Sequence, residues 1–138
     1  MIVSKHIQFQ TEGHGQILDI TDRVGDALRV SGLNSGLVTL FTPSSTSALT
    51  TTEYESGTIY DIQQLFDRIA PPDLEYRHNQ RWGDGNGHAH ARHALLGPSL
   101  TIPVIEGQMT LGTWQQIIFV DFDNRPRSRT LVLQMIGE

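Results

Sequence analysis

The chain contains 138 residues, with hydrophobic residues at 38%, charged residues at 18% and no cysteine. This length predicts one domain, 1–138, because compact domains most often contain about 100–150 residues. The absence of cysteine excludes disulfides, thiolate zinc sites and cysteine nucleophiles. A net charge of -5 provides no basic field for a phosphate backbone, so the composition argues against nucleic acid as a partner.

The N-terminal residues predict neither a signal peptide nor a membrane-spanning helix. No positively charged segment precedes an apolar run there. No apolar run anywhere approaches the roughly 20 residues that a membrane span needs. We therefore expect a soluble, cytoplasmic protein with no membrane partner.

The first part of the chain predicts a strand followed by a helix. Alternate residues from Ile7 to Thr11 are apolar or β-branched, as in a half-buried strand. Candidate cap residues at 19–22 precede apolar residues at helical spacing, and Gly32 ends that pattern. This pattern predicts a helix of about three turns.

The middle of the chain predicts two strands and a second helix. The near-continuous apolar run at 36–41 has the length of a strand, and the β-branched segment at 49–54 is its predicted partner. A polar turn separates the two strands. An apolar stripe from Ile62 to Ile69 then predicts a helix that ends before Pro71.

The segment at 76–93 stands apart because it concentrates glycine and histidine. Four of the six histidines of the chain lie within it. Asn86 is a good N-cap for a short helix that ends at Gly97. In such a helix the uncapped amide of Gly87 would point outward and form a seat for a phosphate or carboxylate.

The spacing of these histidines permits two geometries. In an extended segment, His88 and His90 share one face, as paired metal ligands on a strand would. In a helix, His90 and His93 are neighbours and His88 points elsewhere. A third interpretation assigns no function to these histidines: the helix is capped, and its histidines are solvated or lie at the edge of the core. Neutral imidazoles suit zinc, so His78, His88 and His90 are the candidate metal ligands.

Several polar residues outside this segment have both a structural and a functional interpretation. The hydroxyls of Ser44 and Thr46 either satisfy the local backbone of a polar turn or contact a phosphate. Glu53 is either an edge-strand charge or an acid that points into the histidine site. Thr113 and Gln115 either flank a core tryptophan in a tight turn or contact a ligand.

The last third of the chain is rich in predicted strands. They lie at 100–104, 109–111, 114–122 and 129–136 and are separated by glycine- or proline-containing turns. Strands therefore outnumber the two to three predicted helices, and the late connections have hairpin length. This pattern predicts an α+β domain with mainly antiparallel, β-sandwich-like sheets.

Motifs spread along nearly the whole chain carry a resemblance to a known family. They are the segments 95–100, 102–104 and 111–117, Gly107, the Tyr76-x-His78 pair, the Asn86-x-His88-x-His90 run and Gly137-Glu138. Together they resemble the YjbQ-like family, which is also called the secondary thiamine-phosphate synthase family. This resemblance implies an α+β fold that assembles as a homotrimer, with a cleft near the contacts between subunits.

The resemblance also implies which polar residues build that cleft. They match Glu53, His78, Asn86, His88, His90, Thr113 and Gln115. In many members the position of Ser44 is a histidine and that of Thr52 is an asparagine, whereas Glu53 is kept. His88 is then the candidate for the role of the missing histidine.

The activity attached to the family joins a hydroxymethylpyrimidine diphosphate to a thiazole phosphate and releases pyrophosphate. This activity implies a small phosphorylated metabolite as partner and a divalent ion, zinc or magnesium, as cofactor. The expected catalytic residues are His90, His78 and Glu53. The expected ligand-binding residues are Asn86, Gly87, Ser44, Thr46, Thr113 and Gln115. A non-catalytic trimer that binds a metabolite or a metal is the alternative, and another hydrolase or transferase of phosphorylated compounds is a third.

Overall fold

The computed structural model describes residues 1–138 and contains eight strands and four helices. The strands are β1 (Ile2–Thr11), β2 (Gln16–Asp19), β3 (Gly36–Phe41), β4 (Ser47–Thr52), β5 (Ser99–Ile105), β6 (Gln108–Met109), β7 (Gln116–Asp121) and β8 (Arg127–Gly137). The helices are α1 (Thr21–Ser31), α2 (Ser56–Ile69), α3 (Arg77–Trp82) and α4 (Gly87–Leu96). The predicted α+β class is confirmed, although the predicted number of helices was too low.

All strand pairs are antiparallel and form two sheets. The five-stranded sheet has the order β1-β8-β3-β5-β6, and the three-stranded sheet has the order β2-β7-β4. β3 pairs with β5 and β8, whereas β4 pairs with β7, so the predicted pairing of 36–41 with 49–54 is wrong. The polar turn between β3 and β4 carries the chain from one sheet to the other.

The main core lies between the two sheets and beneath α1. Leu40 and Leu133 enter it from the five-stranded sheet, and Ile117 and Phe119 enter it from β7. Phe9 packs edge-on against Phe119, with the ring centroids 4.9 Å apart. Burial of these side chains is the main favourable term that holds the sheets together.

A second core lies between the three-stranded sheet and helices α2 and α4. Ile118 and Val120 of β7 pack there with Phe66 of α2. Successive side chains of a strand point to opposite faces, so alternate residues of β7 enter different cores. Burial on both faces explains why this strand is continuously apolar in the sequence.

Two local features differ from the sequence-based expectation. Trp114 is 73% exposed and lies outside the core, and β7 begins only at Gln116. Helix α3 buries none of its residues, so it has no apolar stripe that a pattern could reveal. None of the four helices is both long enough and apolar enough to cross a membrane.

Candidate functional site

Helix α4 determines how the histidines are arranged. Residues 88–90 lie within it, so the side chains of His88 and His90 differ by about 200° around the helix axis. The ring of His90 lies against that of His78 from α3, with centroids 4.3 Å apart. The ring of His88 instead lies nearest to Tyr76, at 6.4 Å between centroids. Of the two geometries that the spacing permitted, the helical one is observed.

The three histidines therefore do not form the metal site that the sequence predicted. No group of three or more histidine, aspartate or glutamate side chains is placed to hold a metal ion. The helical rotation directs His88 away from the pair formed by His78 and His90. These residues do not fit a zinc or magnesium ion in the single chain, and we assign no chemistry to a metal here.

One face of α4 carries Asn86 and His90, which are one helical turn apart. Across from His90, the Nδ1 of His78 lies 3.4 Å from Asp84 Oδ1. The two groups are not aligned for a hydrogen bond, and this buried nitrogen has no partner. Burial, and next the neighbouring His78, lower the pKa of His90 below its usual value. His90 is therefore neutral at neutral pH and able to accept a proton.

Asn86 is buried and donates from its Nδ2 to Asp123 Oδ1 at 3.3 Å. Burial alone would raise the pKa of Asp123, but hydrogen bonds from the Asn124 amide and from Asn86 bring it below the usual value. An ionised carboxylate only accepts hydrogen bonds, so the amide nitrogen of Asn86 must face it. The Oδ1 of Asn86 then faces the other way, and this buried acceptor has no partner.

The Gly87 amide, which the sequence predicted to seat an anion, is already occupied. It donates to Asn79 Oδ1 at 2.8 Å, so Asn79 of α3 caps α4. The side chain of Asn86 makes no capping bond. A Cβ at Gly87 would lie 2.6 Å from the Cβ of Tyr76, so this close approach requires glycine. Sequence analysis missed Asn79 because it lies in a different helix and has no cap spacing.

Ser44 and Thr46 belong to a buried ionic network. Arg129 of β8 forms two hydrogen bonds with Asp121 of β7, from Nε to Oδ2 at 2.7 Å and from Nη2 to Oδ1 at 2.9 Å. Its Nη1 donates to Ser44 Oγ at 2.7 Å, and its Nη2 donates to Thr46 Oγ1 at 2.9 Å. Both hydroxyls therefore accept hydrogen bonds from the guanidinium of Arg129.

Asp123 connects this network to α4. It accepts from Thr46 Oγ1 at 3.0 Å and from Arg127 Nε at 2.9 Å, in addition to Asn86. Sequence analysis missed these charges, although they leave a signal. Acids at alternate positions at the end of β7 are followed by bases at alternate positions at the start of β8, which places them on matching faces.

The remaining predicted residues lie at the opposite end of β4. Residues 44–46 precede this strand and Glu53 follows it, and an extended strand of this length spans roughly 20 Å. Glu53 and Thr113 line a shallow, exposed depression. Gln115 donates to Thr51 Oγ1 at 2.9 Å. The structure therefore does not bring Glu53 together with the histidine pair of the same chain.

Loss of Arg129 should be strongly destabilising. Arg129→Met leaves the carboxylate of Asp121 buried without its cation, and we expect a loss of about 3–5 kcal/mol in the free energy of unfolding. Arg29→Met is the matched control, because Arg29 and its partner Asp26 are both 73% exposed. The control should change stability by no more than about 0.5 kcal/mol. Urea denaturation measures both, and similar losses in the two variants would contradict a structural role for the network.

The stability of the protein should decrease at acidic pH because of His88. Burial, and next the positive charge of Arg92, lower the pKa of His88 below 6.5. The unfolded chain then binds a proton more readily than the folded protein, so stability is complete above that pH and is lost as the pH falls through the folded-state value. His88→Gln should make this loss of stability at acidic pH smaller, because glutamine does not titrate. Urea denaturation at a series of pH values measures the free energy of unfolding of this variant. The control is His6→Gln, which replaces an exposed histidine. An H88Q profile parallel to that of H6Q would refute this assignment.

The chain is similar along nearly its whole length to proteins of one family. A family model described as UPF0047 protein YjbQ-like matches residues 5–138. A UPF0047 protein of Methanothermobacter thermautotrophicus is 36% identical over 137 residues, which are 99% of this chain and 94% of that protein. The UPF0047 protein YugU of Bacillus subtilis is 33% identical over 134 residues, or 96% and 98% of the two chains. The crystal structure of a YbjQ-like protein of unknown function from Sulfolobus solfataricus matches with a TM-score of 0.91 at 29% identity, covering 100% of both chains.

These similarities confirm the family resemblance and correct the expected activity. The family and its relatives carry the description UPF0047, and the Sulfolobus solfataricus protein is described as having unknown function. None of these descriptions names the synthesis of thiamine phosphate. The prediction of a thiamine-phosphate synthase, and of a transferase of that kind, is therefore wrong.

Proposed function

The chain belongs to the UPF0047 family of YjbQ-like proteins, and from the geometry of its histidine pair we propose that it catalyses proton transfer on a small metabolite that carries a hydroxyl or amino group. The observation that carries this proposal is the contact between the His78 and His90 rings, one helical turn from the unpartnered Oδ1 of Asn86. Buried polar atoms are almost always paired, so the unpaired Oδ1 of Asn86 needs a donor, and in this proposal the metabolite supplies it.

The two imidazoles have different roles in this proposal. His90 is the general base, because its lowered pKa keeps it neutral at neutral pH. Two rings in contact do not both carry a positive charge readily, and the neighbouring His78 contributes to the lowered pKa of His90. Asp84, 3.4 Å from His78 Nδ1, supplies the negative charge that stabilises a proton on this pair. The Oδ1 of Asn86 accepts a hydrogen bond from the hydroxyl or amino group of the metabolite.

Two earlier expectations about this site stay predictions. The first is that the metabolite carries a phosphate. Arg77 and Arg81 support it, because both are exposed cations on α3, the helix that carries His78. A role for Glu53 requires a neighbouring copy of the chain, because Glu53 lies beyond the far end of β4.

The proposal predicts turnover that depends on His90. The wild-type protein is incubated with a mixture of metabolites extracted from cells, and mass spectrometry follows which of them are consumed. We expect His90→Gln to slow that consumption by about 100- to 10,000-fold, the usual contribution of a general base. His6→Gln, which replaces an exposed histidine on β1, should act like the wild type.

Circular dichroism confirms that both variants are folded. Consumption of no metabolite by the wild type would contradict the proposal. Equal rates for H90Q and H6Q would contradict it as well.

We also propose that the chain assembles as a homotrimer, as the family resemblance implies. An apolar row on the outer face of the five-stranded sheet supports this assembly. The strand register places Ile2 beside Ile136, Ile136 beside Leu37, and Leu37 beside Pro103. Ile2 is 70% exposed, Ile136 is 51% exposed and Leu37 is 46% exposed. Contiguous exposed apolar surface of this kind is typical of protein contacts.

Light scattering coupled to gel filtration tests this assembly. The wild type should have three times the mass of one chain, and Leu37→Glu should reduce that mass because it places a charge in the apolar row. Val30→Glu is the control, because Val30 is an exposed apolar residue on α1, outside the row. A monomeric wild type, or equal masses for L37E and V30E, would argue against the trimer contact proposed here.

A further inference from the structure

A second polar face of α4 borders a cavity that is separate from the histidine pair. His88 and Arg92 are one helical turn apart on this face. The cavity has a volume of about 170 Å³ and lies between α2, the loop at 13–15 and the second core. Its apolar wall is formed by Ile17, Ile62, Phe66, Val120 and Phe122.

Arg92 is the polar group at the base of this cavity. It is only 5% exposed, and the rings of Phe66 and Phe122 lie 5.8 Å and 5.6 Å from its guanidinium carbon. Its Nε donates to the Ala70 carbonyl at 3.1 Å, and its Nη2 donates to Asp67 Oδ1 at 3.0 Å. The N–H groups of Nη1 make no hydrogen bond within the protein and stay accessible, so they are free to donate to a ligand.

The free Nη1 borders the loop that forms one wall of the cavity. A Cβ placed on Gly15 would lie 3.9 Å from Nη1, so glycine leaves the guanidinium edge uncovered. His14 lines the same cavity and is held in a left-handed conformation, with φ of 57°. Its backbone N–H donates to the carbonyl of Asp123 at 2.6 Å, which keeps this loop in place. His14 is therefore a second polar residue in the lining of the cavity.

The electrostatics of the cavity favour an anion. Asp67 is the only acidic residue that lines it, and the side chain of Asp67 is 53% exposed. Water screens an exposed carboxylate, whereas the buried guanidinium of Arg92 is screened much less. A positive potential therefore remains inside, and it contributes to the lowered pKa of the neighbouring His88.

We propose that this cavity binds a small carboxylate with an apolar body the size of one ring or a short branched chain. The carboxylate accepts hydrogen bonds from Nη1 of Arg92, the planar donor best suited to it. The apolar body packs against the phenyl rings of Phe66 and Phe122. A cavity of about 150 Å³ is known to hold benzene, so the observed volume of about 170 Å³ is large enough for a single ring.

Benzoate is the probe that tests this site, with benzamide as its neutral counterpart of the same shape. Calorimetric titration and amide chemical shifts of the labelled protein follow both compounds. We expect saturable binding of benzoate, with shifts centred on residues 13–15 and on α2. Benzamide should bind at least about tenfold more weakly, because a neutral acceptor loses the charge-assisted hydrogen bond.

Matched variants show whether benzoate occupies the cavity. Ile62→Phe fills it from α2 without touching Arg92 and should weaken benzoate binding by at least about tenfold. Ile69→Phe is the same substitution on the same helix at a position that is 51% exposed and outside the cavity, so it should leave binding unchanged. Arg92→Met should abolish the preference for benzoate over benzamide. If this variant does not fold, the comparison of I62F with I69F still decides the question.

Three results would overturn the proposal. The first is the absence of saturable benzoate binding to the wild type. The second is equal binding of benzoate by I62F and I69F, which would place the ligand elsewhere. The third is equal affinity for benzoate and benzamide, which would show that the negative charge of the carboxylate does not contribute to binding. Each result is independent of turnover by the His78–His90 pair, because the two sites lie on different faces of α4.

Discussion

The ion pair between Arg129 and Asp121 is the interaction on which most of this architecture depends. Asp121 is fully buried and the side chain of Arg129 is 10% exposed, so neither charge can be satisfied by water. The cost of burying two charges is offset only where the remaining donors and acceptors are also paired. Here Thr11 of β1, together with Ser44 and Thr46 of the turn between β3 and β4, supplies those partners.

This requirement for partners brings together elements that are distant in the chain. The network joins β1, β7, β8 and the turn that connects the two sheets, and Asp123 extends it to the start of α4. The orientation of the Asn86 side chain follows directly, because an ionised Asp123 accepts only from the amide nitrogen. The oxygen of Asn86 is therefore left unpaired in the proposed site because its amide nitrogen binds the carboxylate of Asp123.

Helix α4 places two kinds of chemistry on opposite faces. His90 faces α3 and the ring of His78, while Arg92, on the other side of the helix, faces α2 and the cavity. The helix needs few apolar residues because it rests on the three-stranded sheet mainly through Ala89 and Leu96. Its remaining faces are free to carry imidazoles and a guanidinium. Strand β7 differs from α4 in this respect, because both of its faces are buried. Its alternate side chains pack into the two cores.

Local periodicity in the sequence determined the α+β class, helices α1 and α2, and the principal strands, because apolar spacing records which side of an element is buried. The motifs determined the family, which the match over residues 5–138 confirms. Tertiary structure alone decided that β3 and β4 enter different sheets, since both are β-branched strands that fit either partner. It also separated His88 from His90 and Glu53 from both. The acids and bases around Arg129 alternate visibly in the sequence, but tertiary structure decided that they pair with Thr11, Ser44 and Thr46, because those residues are distant in the chain.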